Sequence, residues 1–361
     1  MAEASRAARA ASGVRGDWFL VSALDDVRWL TGFSGSTATA LLSGTGEVHL
    51  FVDGRYHERA VAELAESGND ATVHRVQGGA ALLDSVSAVV GAGVLGLDPE
   101  RVTLALHDSC AARMKVERCP SPLRGPRRVK DPTELALIEW SARIADAALQ
   151  QVVSEGIAGE SERSVRRRLD DAMASLGADD VSFPTIVASG PNAARPHHEP
   201  GERVIGEGDV VIIDMGAAVG GYRSDMTRTL TVGSVPAEAG EMWEVVREAQ
   251  QAGLDTVRAG VEGRAVDAAV RAVFSRNGVE HEYLHGTGHG VGLLIHEQPI
   301  LGPSCTETLL EGEVVTVEPG LYRGGTGGVR IEDLVVVTAT GCRILTQTPK
   351  ELPCPPSPRT T

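Results

Sequence analysis

The spacing of apolar positions changes several times along the chain, and each change predicts an element. Between residues 17 and 52 the apolar residues fall in three short runs, WFLVSA, TATALLS and EVHLFV, divided by Gly, Ser and Thr. That is the pattern of strands joined by turns. RYHERAVAELAES then shifts to a helical period with Ala60 and Leu64 on one face. ATVHRV and VLGLD predict two more strands, and segments around 80–90 and 103–116 predict helices, which completes a small α/β domain. Ahead of it, MAEASRAARAASGVRGDW is rich in Ala and Arg but lacks the apolar centre of a secretory signal, and a frayed start is expected.

The next stretch, CPSPLRGPRRVKDPTE at 119–134, holds four prolines and a basic cluster. Proline opposes helix and strand alike, so a linker is predicted. Asp131-Pro132-Thr133-Glu134 then opens a long helix through about Ser154, with proline in its first turn. The end, PKELPCPPSPRTT, reads as disordered. The expected organisation is an N-terminal domain at 1–125, a larger domain at 126–348 and a tail at 349–361. Within the larger domain GIAGESERSV (156–165) resembles GVEGRAVDAAV (260–270) at an offset of 104. Each lies between helical segments and precedes a strand-rich region, so an internal two-fold repeat is predicted.

Composition narrows the function. The chain has 361 residues, enough for two sizeable cores, and is 42% hydrophobic and 23% charged, as soluble globular proteins are. Its net charge of −15 argues against nucleic acid. No apolar run approaches the roughly 18 residues of a membrane span. Five scattered cysteines without C-x-x-C spacing read as reduced thiols of a cytoplasmic protein, not as a disulfide frame or zinc site.

The chemistry lies in four carboxylates. VVIIDMGAAVGGYRSDMTRTLTV reads as two strands turning at Gly220-Gly221. If those glycines form the loop, Asp225 lies opposite Gly216, two residues from Asp214, so both aspartates share a face. Buried carboxylates side by side repel unless a cation or proton intervenes. The second half repeats the arrangement: Glu318 ends the strand of EVVTVEPGLY and Glu332 begins that of GGVRIEDLVVV. Glu318 follows Asp214 by 104 residues (318 − 214) and Glu332 follows Asp225 by 107 (332 − 225). Two-fold packing would bring all four together.

HGTGHGVGLLIHE (285–297) has four glycines, a poor helix but a workable strand, with His285 and His289 on one face and glycines on the other. Glycine lets another layer or a substrate approach the backbone. One imidazole with four carboxylates is enough to hold two divalent ions through shared ligands. Oxygen-rich sets favour Mn²⁺, Mg²⁺ or Ca²⁺, and the histidine moves the expectation to Mn²⁺, with Co²⁺, Fe²⁺ or Zn²⁺ as alternatives. Two-metal sites activate water and stabilise oxyanions, which points to a hydrolase.

These motifs, with SFPTIVASGPNAARPHH, resemble the pita-bread metallopeptidases: Xaa-Pro aminopeptidase, Xaa-Pro dipeptidase (prolidase) and, more distantly, methionine aminopeptidase. WLTGFSGS (29–36) and FVDGRY (51–56) resemble the N-terminal domain of the aminopeptidase P, prolidase and creatinase group, which methionine aminopeptidases lack. The resemblance implies an α+β chain: a creatinase/prolidase-type α/β domain followed by a pita-bread domain with a pseudo-two-fold repeat. It implies metal ligands Asp214, Asp225, His289, Glu318 and Glu332, with Asp225 and Glu332 bridging. It assigns His197 and His296 to substrate contact and to the tetrahedral intermediate, His285 to the wall beside the proline pocket, and Arg330 and Tyr322 to orienting ligands and the bridging hydroxide. In that mechanism the hydroxide attacks the Xaa-Pro carbonyl, and Glu318 carries the proton to the proline nitrogen. His198 is expected to be a solvated or packing residue, His49, His57, His74, His107 and His281 to lie on the surface, and GGTGG (324–328) to be a hairpin loop.

Relatives acting on dipeptides often carry an arginine just after HEx-P, where it holds the substrate carboxylate. Here the segment is HEQPI, with Ile300 in that place, which favours aminopeptidase over dipeptidase activity unless Arg323 or another subunit compensates. A specialised amidase stays open. Metal-free creatinase-like chemistry and a non-catalytic binding module both go with lost ligands, and here all five stand. A peptide or small amide substrate and a homodimer, or a tetramer, are expected.

Overall fold

The computed structural model describes residues 5–234 and 237–354. The chain divides into two compact units between Arg127 and Arg128. In the first, helix α1 (Arg6–Ala11) stands where a frayed start was expected; Ser5 caps it and Ala7, Ala10 and Ala11 are buried. The unit continues through β1 (Trp18–Val21), α2 (Leu24–Thr31), β2 (Thr39–Ser43), β3 (Val48–Asp53), α3 (His57–Ser67), β4 (Thr72–Val76), α4 (Gly78–Val90), β5 (Val94–Leu97), α5 (Leu104–Ala111) and β6 (Lys115–Arg118), and the last residue of α6 (Arg124–Arg128) falls in the second unit. Its six strands form one sheet in the order β4-β3-β2-β1-β5-β6. The helix expected over 103–116 ends at Ala111, because Lys115–Arg118 pairs in parallel with β5 as the edge strand. KVER carries no apolar alternation that would announce it. His49 and His74 are not free surface residues: Nδ1 of one lies 2.7 Å from Nε2 of the other across β3 and β4.

The predicted linker is partly ordered. Arg127 in α6 binds Asp25 and Asp26 of its own unit, and Arg128 binds Glu313 in the second unit to which it belongs. Ion pairs that satisfy the basic cluster thus permit a short helix despite the prolines.

The second unit opens with α7 (Pro132–Glu155), where Asp131 accepts from the Thr133 and Glu134 amides and Glu134 reciprocates on the Asp131 amide. This capping box starts the helix at the predicted residue. There follow α8 (Glu162–Ser175), β7 (Asp180–Val181), β8 (Ile186–Ser189), β9 (Val210–Met215), β10 (Ala217–Val219), β11 (Tyr222–Arg223) and β12 (Met226–Val232). The second half holds α9 (Ala237–Thr256), α10 (Gly263–Arg276), β13 (Gly288–Gly290), β14 (Glu297–Leu301), β15 (Val314–Val317), β16 (Gly320–Arg323), β17 (Gly327–Arg330), β18 (Asp333–Val337), β19 (Cys342–Ile344) and β20 (Leu352–Cys354). The main sheets run β20-β12-β9-β8 and β14-β13-β15-β18-β19. β20 lies in the stretch expected to be disordered, and pairs in parallel with β12; residues 355–361 of that tail are outside the described residues. No helix among the described residues is long and apolar enough to cross a membrane.

The repeat is present, with a different register from the one its sequence suggests. Glu162 N donates to Arg203 O and Gly263 N to Glu307 O; Gly159 N donates to Ile205 O and Gly260 N to Leu309 O. The helix pairs therefore correspond at an offset of 101 (263 − 162), and only the returning strands at 104 (307 − 203).

Strand parity sets what faces where. Val211, Ile213 and Met215 of β9 and Met226, Leu230 and Val232 of β12 join the core under α7 and α8. Asp214, Asp225 and Thr227 fall on the opposite face. In the other half Val315, Val317, Val335 and Val337 pack beneath α9 and α10, leaving Glu318 and Glu332 on the inner face.

Candidate active site

The turn at Gly220-Gly221, with φ of 57° and 81°, sets the predicted register: Val219 pairs with Tyr222, Met215 with Met226 and Asp214 with Thr227. Asp225 accordingly lies opposite Gly216, where any Cβ would collide with the Ser224 carbonyl. GGTGG is, as expected, the tip and start of the return of the β16–β17 hairpin.

A cavity of about 650 Å³ is lined by Asp214, Asp225, His289, Glu318 and Glu332 together with His197, His285, His296 and Arg330. Tyr322 is not on this wall but behind it. Asp225, His289 and Glu332 offer ligand atoms within 4.8 Å of one another, and all three are buried. His289 Nε2 lies 3.5 Å from Asp225 Oδ2 and 3.4 Å from Glu318 Oε1. Its Nδ1 lies 3.1 Å from the Gly290 carbonyl, to which it donates, so Nε2 keeps the lone pair. Burial lowers its pKa to about 4, which holds the ring neutral, as a ligand must be.

Buried side by side, the carboxylates repel one another. Burial, then Glu332, Asp214 and Glu318, pushes Asp225 well above the carboxylate range. Burial, then Glu318 and Asp214, does the same to Glu332. Burial raises Glu318 to about 7, with Arg330 opposing and Asp214 adding. Asp214 Oδ1 and Glu332 Oε1 are buried without a hydrogen-bond partner. Orphaned carboxylate oxygens beside a neutral imidazole are the donor set of a divalent-ion site, so the residues present fit the metals that were expected.

Behind the ligands, Arg330 donates to Asp214 Oδ2 at 2.5 Å, to the Tyr322 hydroxyl at 2.9 Å and to Thr227 Oγ1 at 3.0 Å. Burial opposes its charge, but Tyr322, Asp214 and Glu318 outweigh it and raise its pKa well above the usual value. Thr227 Oγ1 donates to Glu332 Oε2 at 2.8 Å. His285 Nδ1 donates to the Gly286 carbonyl, so the Tyr322 hydroxyl donates to His285 Nε2 at 2.8 Å. Burial lowers the His285 pKa to about 4 and raises that of Tyr322 to about 12. Thr227 was missed in the sequence, although it stands two residues beyond Asp225 on the same strand face.

His197 and His296 are exposed at the cavity wall, His296 with its ring centre 4.3 Å from that of His289. His198 packs, as one of its two expectations had it, with Nε2 2.8 Å from Glu162 Oε2. The strand expected over 285–297 is only Gly288–Gly290. Its glycines serve neighbouring backbone: a Cβ on Gly288 would collide with the Thr316 carbonyl and one on Gly290 with that of Gln298. Arg323 does not reach the cavity, because Glu282 and Glu238 bind it.

Residues 136–339 match the family described as metallopeptidase family M24, and residues 5–128 match the creatinase/prolidase N-terminal domain. An uncharacterized peptidase of Bacillus subtilis is 36% identical over 93% of this chain and 95% of its own length. The structure of an Xaa-Pro dipeptidase from Bacillus anthracis superposes with a TM-score of 0.90 at 34% identity, covering 96% of this chain and 97% of that one. An X-Pro aminopeptidase from Thermotoga maritima gives 0.87 at 32% identity, covering 96% and 99%.

Proposed function

The chain belongs to metallopeptidase family M24, with a creatinase/prolidase N-terminal domain and a pita-bread second unit, and from that premise we propose that it is an Xaa-Pro aminopeptidase working with two divalent ions, Mn²⁺ first among them. The observation that carries the reading is the convergence of four carboxylates and one neutral imidazole on a single cavity, with two buried carboxylate oxygens lacking partners. Asp214, Asp225, His289, Glu318 and Glu332 would hold the ions. When bound, the ions supply a Lewis acid for the scissile carbonyl and make water a nucleophile at neutral pH.

The chain's own residues do the rest. Arg330 fixes Asp214 and Thr227 fixes Glu332, so the acids keep their places through turnover. Glu318, placed on the cavity wall beside His289, takes the proton of the attacking water and passes it to the leaving proline nitrogen. His197 and His296, on the exposed wall, donate to the carbonyl oxygen as charge develops there. His285 is fixed by Tyr322 and walls the site as a neutral ring. Ile300 lines the cavity and brings no charge, which supports substrates longer than dipeptides.

The test is hydrolysis of Arg-Pro-Pro and of Gly-Pro by chelator-stripped protein reloaded with Mn²⁺ or Co²⁺. Metal-dependent cleavage of the tripeptide, abolished in Asp225→Asn, is expected. Cleavage of Gly-Pro alone reverses the preference to dipeptidase, and cleavage of neither with metal bound sinks the peptidase reading.

A further inference from the structure

Four acids of the cavity gather at the candidate metal site, and the wall carries one cation that the acid cluster does not use. Among the described residues that line it the arginines are Arg330 and Arg166. Arg330 is consumed by Asp214, Tyr322 and Thr227. Arg166 projects from α8, between Glu162 and Asp170 at spacings of four residues. Side chains at that spacing share a helix face.

Its two acidic neighbours are already engaged. Glu162 accepts from the Ser189 amide at 2.8 Å and hydroxyl at 2.7 Å, from Asn192 at 3.0 Å, and pairs with His198 at 2.8 Å. Asp170 accepts from the Thr185 hydroxyl at 2.6 Å, and its other oxygen is 3.5 Å from Arg166 Nε, too far for a good hydrogen bond. Arg166 Nε is buried with no hydrogen-bond partner, while the side chain as a whole keeps 37% exposure. Of the three consecutive arginines, Arg168 is tied to Glu155 and Glu160 and Arg167 is exposed; Arg166 alone lines the cavity. With Nε buried beside Asp170, the exposed part of the guanidinium on the wall of this cavity is left to its terminal amino groups, which can take a carboxylate through paired N–H bonds.

We propose that Arg166 binds the C-terminal carboxylate of a short Xaa-Pro peptide, and so limits the length of substrate that this cavity accepts. The assignment rests on the hydrolytic reading above. It places the carboxylate-reading charge on α8, on the wall formed with Phe183, Pro184 and Thr185, whereas Ile300 leaves its own part of the cavity uncharged.

Four substrates test it on the Mn²⁺-loaded enzyme: Ala-Pro, Ala-Pro-Ala and the C-terminal amide of each. In Arg166→Ala the KM of a free acid should rise about 10- to 100-fold, the loss of a charge-assisted hydrogen bond. Its kcat should hold, the amides should scarcely change, and Arg166→Lys should recover part of the loss. Which acid responds, dipeptide or tripeptide, gives the length at which the carboxylate reaches the arginine. Equal changes for acids and amides, or a fall in kcat at constant KM, would leave Arg166 a structural partner of Asp170 and overturn the proposal. If the wild type cleaves none of the four, the peptidase reading fails separately. Calorimetric binding of Ala-Pro against its amide, to wild type and Arg166→Ala, then decides Arg166 alone: an acid preference lost in the variant supports it, and no such preference overturns it.

Discussion

The two halves of the second unit build the same inner face from different acids. In the first, the aspartates are staggered: Asp214 pairs with Thr227, and Asp225 lies opposite Gly216. In the second, the pairings Val317–Asp333 and Gly320–Arg330 place Glu318 directly across from Glu332. The short acid is offset along the strand and the long one is set face to face. The halves also brace each other. Arg330 of the second holds Asp214 of the first, and Thr227 of the first holds Glu332 of the second. Buried Arg228 reaches across to Asp333 and to the Glu332 carbonyl, and the Thr229 hydroxyl bonds the Arg330 backbone in both directions. Each half therefore holds one acid of the other, Asp214 or Glu332.

The largest effect is expected from breaking the acid set itself. Asp225→Asn and Glu332→Gln each remove a buried charge that the ions need, at a cost of several kcal/mol, so activity should fall about 1,000-fold or more. In chelated protein the same substitutions should raise the melting temperature, because they relieve repulsion between buried carboxylates. A variant that lowers activity and also destabilises the chelated form would contradict the account of stressed carboxylates.

The cross-braces come next. Thr227→Val and Arg330→Gln leave all five ligands in place but free Glu332 or Asp214, and each should weaken metal binding by about 10- to 100-fold. Titration of Mn²⁺ followed by calorimetry checks this. If the halves brace each other as described, either substitution should weaken both ions together. Loss of one ion with the other retained would mean that each half holds its own.

Glu318 offers a smaller effect with a definite sign. Its carboxyl is raised from 4.5 to about 7. Stability from the protonated form is full below about pH 4.5 and lost as pH rises through about 7. In chelated protein the wild type should thus lose stability relative to Glu318→Gln over that window, by about 3 kcal/mol. Urea midpoints at several pH values measure the difference, and contributions of groups remote from Glu318 cancel. A difference that grows in favour of the wild type with rising pH would contradict the raised carboxyl.

Much of this site is legible in the residues because strand arithmetic is strict. Two glycines at 220 and 221 fix the register, and parity then puts Asp214 and Asp225 on one face. The capping box at Asp131 marks its helix for the same reason: local hydrogen bonds leave a local signature. What was not legible depends on partners distant in sequence. Lys115–Arg118 is a strand only because β5 offers it an edge. Leu352–Cys354 pairs with β12 despite the prolines around it. Arg166 sits in a run of three arginines, and nothing in the run tells which one meets a cavity.

The helix-turn register was misread for a related reason, and it yields the smallest prediction. Sequence similarity aligns Gly156 with Gly260, whereas hydrogen bonding aligns Gly159 with Gly260, since each donates to the strand returning beside its helix turn. Both have left-handed backbone, with φ of 84° and 86°, and open space where a Cβ would go. Substitution by alanine therefore tests backbone strain without a clash. Gly159→Ala and Gly260→Ala should each cost about 1 kcal/mol. The two losses should add in the double variant, because the sites lie in separate helix turns without shared partners. Thermal denaturation of the three variants measures this. Unequal losses would show that the turns are not equivalent, and the two-fold relation between the halves would then hold for the acid-bearing strands but not for the helices that cover them.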